Sequence, residues 1–256
     1  MADCETISVG TANRQRAIAV RRRAGAAPGL FWLGGFRSDM TGAKATTLDA
    51  VADRLGLAAT RFDYSGHGSS GGRFEDASIS DWLEESRAVF ATTAGPQVVV
   101  GSSMGGWLAL LLALSPEARA RVGGLVLVAP ATDFTERLML PHLDAAAHAA
   151  LAATGRAEIP SGEGGSYPLT RRLLDDGRSH LLLGGPIAPP CPVRILQGSA
   201  DGTVPIGHAL TLVDHLVGVD VTLTVVAGGD HRLSRPDDLD RLARTIEAAV
   251  ADIADA

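Results

Sequence analysis

Gln97-Val98-Val99-Val100-Gly101-Ser102-Ser103-Met104-Gly105-Gly106-Trp107 is the stretch on which the reading of the fold turns. Its three valines predict a buried strand over 97–101. Met104 to Ala113 is very apolar and predicts a helix that stops near Ser115-Pro116. Gly101-x-Ser103-x-Gly105 is thus a G-x-S-x-G sequence between a strand and a helix, the context that motif requires. So sharp a turn strains the central residue and crowds the positions two before and two after it, where only glycine fits. Centring the turn on Ser102 would put Val100 and Met104 at those crowded positions, so Ser103 is the centre. Its Oγ is expected above the sheet with a helix N-terminus behind it.

Working outward, short apolar runs alternate with amphipathic segments. Leu30-Phe31-Trp32-Leu33, Ala59 to Tyr64, Leu125-Val126-Leu127-Val128, Val193-Arg194-Ile195-Leu196 and Val219 to Val226 read as strands. Helical spacing covers Thr41 to Leu55, Ile79 to Phe90, His208 to Leu216 and Asp237 to Ile253. Strand and helix in alternation predict an α/β fold, a mostly parallel sheet with helices on both faces. Glu5 to Arg23 reads as an antiparallel N-terminal edge hairpin on that sheet. The rhythm breaks over 131–188, with an Ala-rich helix near 144–153, a Gly/Pro/Ser stretch at 160–168 and a helix near Leu169 to Leu182. We read residues 1–256 as a single domain and 131–188 as a small lid insertion.

A serine nucleophile needs a base, and the base an orienting acid. In this topology both come later, in the order Ser, Asp, His, each after a strand. Asp201 follows the 193–196 run, and His231 follows the last strand at Ala227-Gly228-Gly229-Asp230-His231. Two acids compete with Asp201. Asp133 follows the strand before the insertion, and Asp230 adjoins His231, where neighbouring loop side chains usually diverge. The other histidines, among them His142, His148, His180, His208 and His215, read as surface or packing residues. Acyl transfer also needs donors for a developing oxyanion. The backbone N–H of Met104, directly after Ser103, is one. That of Phe36, in the Gly34-Gly35-Phe36 loop after the first buried strand, is the other. Leu138, Met139 and Leu140, spaced so that several share one helical face with Phe134 and Leu143, are candidates for an acyl pocket.

Other classes are disfavoured. The 256 residues carry 23 basic and 29 acidic side chains, a net charge of −6, which argues against nucleic acid as a partner. All the basic residues are Arg except Lys44. Gly66-His67-Gly68-Ser69-Ser70-Gly71 matches G-x-G-x-x-G, but Gly72-Arg73-Phe74-Glu75-Asp76 follows before any helix, so it reads as a tight loop near the floor of the site, not as a dinucleotide cradle. No CxxC pair or Cys/His cluster exists, and no metal or cofactor is expected. The two cysteines, Cys4 and Cys191, read as free thiols in a cytoplasmic protein. Met1-Ala2-Asp3-Cys4-Glu5 is acidic with no apolar run after it, so a secretory signal is not expected, and a strand starting near Leu30 leaves little sequence for a transit peptide. The uncharged stretch Ala88 to Pro116 is broken by Gly95-Pro96 and Gly101-Ser102-Ser103, so no membrane span is expected.

With Ser103, Asp201 and His231 in place, the chain resembles the α/β-hydrolase superfamily over nearly its whole length. Gly35-Phe36-Arg37-Ser38-Asp39-Met40-Thr41-Gly42, Arg61-Phe62-Asp63-Tyr64-Ser65-Gly66, Gly95 to Trp107 and Asp201-Gly202-Thr203-Val204-Pro205 are similar to a group within it described as serine thioesterases on palmitoylated proteins and esterases on acyl glucuronides. Cys191-Pro192-Val193-Arg194 and Asp230-His231-Arg232 match as well. The resemblance implies Ser103 as nucleophile, His231 as base and Asp201 as acid. One departure is Gly34, where many members have His before the glycine. The expected activity is hydrolysis of carboxylic esters or thioesters, the substrate a small molecule or an acylated protein. A non-catalytic ligand-binding protein and a peptidase or perhydrolase on the same fold are the alternatives. The oligomeric state is left open.

Overall fold

A computed structural model describes residues 4–161 and 165–254. Strands β1 (Cys4–Val9) and β2 (Arg16–Arg23) form an antiparallel hairpin, followed by β3 (Ala26–Leu33), helix α1 (Ala43–Leu55), β4 (Leu57–Phe62) and α2 (Ile79–Ala91). Next come β5 (Gln97–Ser102), α3 (Met104–Leu114) and β6 (Val122–Val128). After the intervening segment, β9 (Val193–Gly198), α6 (Ile206–His215), β10 (Val221–Val226) and α7 (Pro236–Ala254) complete the chain. The eight-stranded sheet has the order β1-β2-β4-β3-β5-β6-β9-β10. It is parallel from β4 to β10, with the N-terminal hairpin antiparallel at one edge.

Alternation along the central strands sorts the core into two layers. Leu30 and Trp32 of β3, Val98 and Val100 of β5, and Val126 and Val128 of β6 meet α1 and α7 through Leu48, Val51, Leu242 and Ile246. Phe31, Leu33, Val99, Leu125 and Leu127 meet α2, α3 and α6 on the other face. Helix α3 is almost wholly buried, which is why its sequence carries no polar stripe.

The segment between β6 and β9 departs from the sequence expectation in two places. Helix α4 (Ala145–Thr154) is where the Ala-rich run put it, with Asp144 as its N-cap accepting from the Ala147 amide. The helix expected near Leu169 to Leu182 is present as α5 (Arg171–Gly177) with a 3-10 turn at Arg178–His180, but an antiparallel hairpin that the sequence reading did not expect, β7 (Arg156–Pro160) and β8 (Ser166–Thr170), comes before it. Pro168 biases Tyr167 towards extended backbone, and Thr170 caps α5 by accepting from the Leu173 amide at 3.2 Å. The α-helical face expected for Leu138, Met139 and Leu140 does not form. Residues Thr135–Met139 make a π turn and Leu140–His142 a 3-10 turn, because Pro141 has no N–H to continue a helical ladder. The three side chains are half-buried and packed against the α3 face of the core.

Candidate active site

Ser103 lies between β5 and α3 with φ 55° and ψ −119°, a conformation an L residue adopts only when its surroundings impose it. They do so through main-chain bonds. The Ser103 amide donates to Val128 O at 2.9 Å, and its carbonyl accepts from Gly106 at 2.9 Å and Ala131 at 3.0 Å. A Cβ on Gly101 would lie 2.3 Å from Gly105 O, and one on Gly105 would lie 2.1 Å from Leu33 O. The crowding expected from the sequence is therefore present at both glycines. Ser102 is buried in β5.

The structure brings Ser103, His231 and Asp201 together. His231 Nε2 is 3.1 Å from Ser103 Oγ, and His231 Nδ1 is 2.8 Å from Asp201 Oδ2. Asp201 Oδ1 accepts from the Thr203 and Val204 amides, each at 2.8 Å. Burial pushes the Asp201 carboxyl up, but the His231 hydrogen bond and these amides hold it below its ordinary value. It is therefore a carboxylate at neutral pH, and Nδ1 of His231 carries the proton it accepts. That leaves Nε2 as the acceptor facing Ser103. Lys44 Nζ donates to the Arg232 carbonyl, tying α1 to the His231 loop.

The competing acids are engaged elsewhere. Asp133 is 1% exposed and accepts from the Leu182 amide at 2.9 Å and the Leu183 amide at 2.8 Å. Burial raises its pKa, against the pull of those amides. Asp230 is exposed and accepts from Leu233 N–H.

Met104 is the first residue of α3, whose opening N–H groups lack intrahelical partners. The loop bearing Phe36 packs directly on the serine turn: a Cβ on Gly35 would lie 3.4 Å from Ser103 Cβ. His67, which sequence reasoning placed in a loop without giving it a role, holds this segment. Its Nδ1 faces Ser65 O at 3.1 Å, and its Nε2 accepts the Arg37 amide at 3.0 Å. Burial pushes the imidazole down to about 4, which keeps Nε2 an acceptor. Asp63 adds a second tie, accepting from Met40 at 2.7 Å and Ser69 at 2.8 Å. The Gly66–Gly71 loop thus wraps Asp63 and His67. A Cβ on Gly68 would lie 2.1 Å from Asp63 Oδ2.

The Phe36 ring is the hub of an aromatic group. Its centroid is 4.9 Å from Phe74, 5.6 Å from both Phe134 and Tyr167, and 6.1 Å from Trp82. The Arg37 guanidinium sits 4.9 Å above the Tyr167 ring. Phe134 and Tyr167 belong to the segment between β6 and β9, which therefore grips the loop beside Ser103. Among the described residues no three His, Cys, Asp or Glu side chains group to hold a metal ion, and no helix is long and apolar enough to cross a membrane.

The family described as serine aminopeptidase, S33 (Hydrolase_4), matches residues 41–172, half of the chain. The rat (Rattus norvegicus) palmitoyl-protein thioesterase ABHD10, mitochondrial, is 34% identical over 236 residues, 90% of this chain and 77% of that protein. A crystal structure of a putative hydrolase from Agrobacterium vitis S4 superposes with a TM-score of 0.91 at 48% identity, covering 98% of this chain and 99% of that one. The structure of mouse α/β hydrolase domain-containing protein 10 does so with a TM-score of 0.87 at 30% identity, covering 97% and 99%. By sequence family, relatives and fold together, the chain belongs to the α/β-hydrolases and is a relative of ABHD10.

Proposed function

We propose that this protein is a serine esterase or thioesterase in which Ser103, His231 and Asp201 form the catalytic triad. The observation that carries the reading is the hydrogen-bonded line from Ser103 Oγ through His231 to Asp201, at 3.1 and 2.8 Å, at the carboxyl end of a parallel sheet. His231 Nε2 takes the hydroxyl proton as Oγ attacks the acyl carbon. The negative charge passes to the former carbonyl oxygen, which Met104 N–H and Phe36 N–H receive. As that charge returns, the bond to the leaving oxygen or sulfur breaks and His231 supplies its proton. Water, deprotonated by the same nitrogen, then attacks the acyl-enzyme and releases the acid and Ser103. Asp201 stays ionised throughout and keeps the imidazole in the required tautomer.

Thioester cleavage is supported by the name of the 34%-identical relative, and an acylated protein is then a substrate alongside small esters. We read residues 1–256 as one domain with 131–188 as its lid. We place the enzyme in the cytoplasm, a setting that fits Cys4 and Cys191 both being free. A peptidase is the second reading, favoured by the description of the matching family as a serine aminopeptidase. Rates on matched chromogenic esters, thioesters and aminoacyl anilides, with covalent labelling by a fluorophosphonate, test both. Labelling of Ser103 with ester and thioester turnover is expected. Turnover of anilides alone would install the peptidase reading, and an unlabelled, inactive protein would remove both.

A further inference from the structure

Strand β9 carries an amide where its neighbours are apolar. Gln197 is fully buried in the run Ile195-Leu196-Gln197-Gly198, four residues before Asp201. A buried amide is costly unless its hydrogen bonds are made, and here only the NH2 end is engaged, Oε1 being buried without a partner among the described residues. Its Nε2 lies 2.8 Å from Val204 O, 3.3 Å from Gly198 O and 3.2 Å from Asp201 Oδ2. All three are acceptors, so the NH2 end of the amide must face them, and the reverse orientation would set oxygen against oxygen. Asp201 Oδ2 is also the oxygen that faces His231 Nδ1 at 2.8 Å.

We infer that Gln197 is a positioning residue for the reaction, donating to the Asp201 oxygen that holds His231. The inference rests on the triad reading above. With Gln197 in place, the carboxylate has donors on both oxygens: Thr203 and Val204 amides on Oδ1, Gln197 and His231 on Oδ2. Two consequences follow. The carboxylate cannot rotate without breaking several bonds at once, so the imidazole it orients is aimed at Ser103 before substrate arrives. A neutral donor on Oδ2 also shares the negative charge that His231 would otherwise face alone. The other charged groups on the His231 loop are Asp230, bonded to Leu233 N–H, and Arg232, whose carbonyl meets Lys44. A purely structural Gln197 would serve only to anchor Val204 O, and the two roles are separable.

The test uses the full-length protein with Gln197→Met, which keeps the size and removes the donor, and Gln197→Glu, which donates only while its carboxyl is protonated. Ser103→Ala is the control for the triad itself. Gln197→Met should lower kcat roughly 10-fold with KM little changed, the loss expected for one hydrogen bond to a charged group. The low-field proton resonance of His231 Nδ1–H should move further downfield, because Asp201 Oδ2 now bonds it alone. The activity of Gln197→Glu relative to the parent should fall as pH is raised and its carboxyl ionises beside Asp201. Unchanged kcat and an unmoved resonance in a folded Gln197→Met variant would overturn the inference. If that variant does not fold, a pH-independent ratio for Gln197→Glu would overturn it instead. If Ser103→Ala stays active, the triad reading has failed, which is a different outcome from either.

Discussion

At the carboxyl end of the sheet, the side chains with chemical potential are held by the main chain. The 131–188 segment meets that site through side chains, the rings of Phe134 and Tyr167 on Phe36. Asp201 receives two amides, and Ser103 is locked by three main-chain bonds to Val128, Gly106 and Ala131. In the segment, α4 buries only Leu151, β7 and β8 pair only with each other, and the link to the site is a set of ring contacts around Phe36. Main-chain bonds survive most substitutions nearby, whereas ring and apolar contacts change with each one. On the proposed triad, the chemistry would sit in the part of the molecule that tolerates little change, beside a segment that tolerates more.

The comparison breaks first at Ser103. Ser103→Ala should remove ester hydrolysis by about 10³-fold or more with the melting temperature unchanged, and Ser102→Ala should lose far less. A dead Ser102 variant beside an active Ser103 variant would put the chemistry elsewhere. Next, Asp201→Asn and Asp133→Ala separate an acid that acts from one that clasps. The first should lower kcat by on the order of 10² or more. The second should leave kcat within a few-fold while costing about 1–3 kcal/mol of stability in urea unfolding, because buried amides lose their acceptor.

His67 sharpens the comparison through pH. Its folded imidazole is pushed down to about 4 from 6.5 by burial. The unfolded chain therefore takes up a proton near 6.5 while the folded one does not until about 4. Stability from this group is complete above about 6.5 and is lost as pH falls towards about 4. At about 1.4 kcal/mol per pH unit, the loss is on the order of 3 kcal/mol. Urea unfolding at pH 7 and pH 5 should show a larger loss in the parent than in His67→Gln, where the half-buried His180 and His208, whose imidazoles burial also lowers, remain. Equal slopes would mean that His67 does not hold the Phe36–Arg37 loop as a neutral acceptor. The smallest effect is expected in the segment. If Leu138, Met139 and Leu140 line an acyl site, longer chains gain about 0.8 kcal/mol per buried methylene. Met139→Asp or Leu140→Asp should then reduce the preference for medium over acetyl chains several-fold in kcat/KM. Equal losses on every chain length would assign these residues to packing.

The same contrast explains what could be read from the sequence. Ser103, Asp201 and His231 each follow an apolar run and sit among glycines, so strand order alone brought them to one end of the sheet. Asp133 also follows a strand, and only its three-dimensional partners, the Leu182 and Leu183 amides, remove it from contention. Gln197 is a polar residue in an apolar strand and His67 a histidine in a glycine loop, and neither had a role assigned from the sequence. Their partners are fixed by approach between distant segments, which spacing does not encode. In 131–188 the local signals conflicted. Leu169 continues an apolar spacing, but Pro168 and the Thr170 cap decide for a strand followed by a helix, and Pro141 divides the turn that Leu138 to Leu140 were expected to share.

The clasp made by Asp133 has a consequence for how this molecule can be altered. Asp133 binds amides 49 and 50 residues further along the chain, so the intervening segment leaves and rejoins the sheet at one tied neck. Below the neck, β6 and β9 pair with each other, while Leu151, Leu169, Leu173 and Leu174 of the segment are buried in the core that these strands share with α3. Loop closure responds weakly to length, about 0.6 kcal/mol per doubling. Exchange of the segment is therefore expected to be tolerated where the neck and those buried leucines are kept. Replacing its interior with that of a relative should leave the melting temperature within a few degrees while Asp133, residues 182–183 and the buried Leu151, Leu169, Leu173 and Leu174 are kept. The same exchange in an Asp133→Ala background should lower it well beyond the sum of the separate changes.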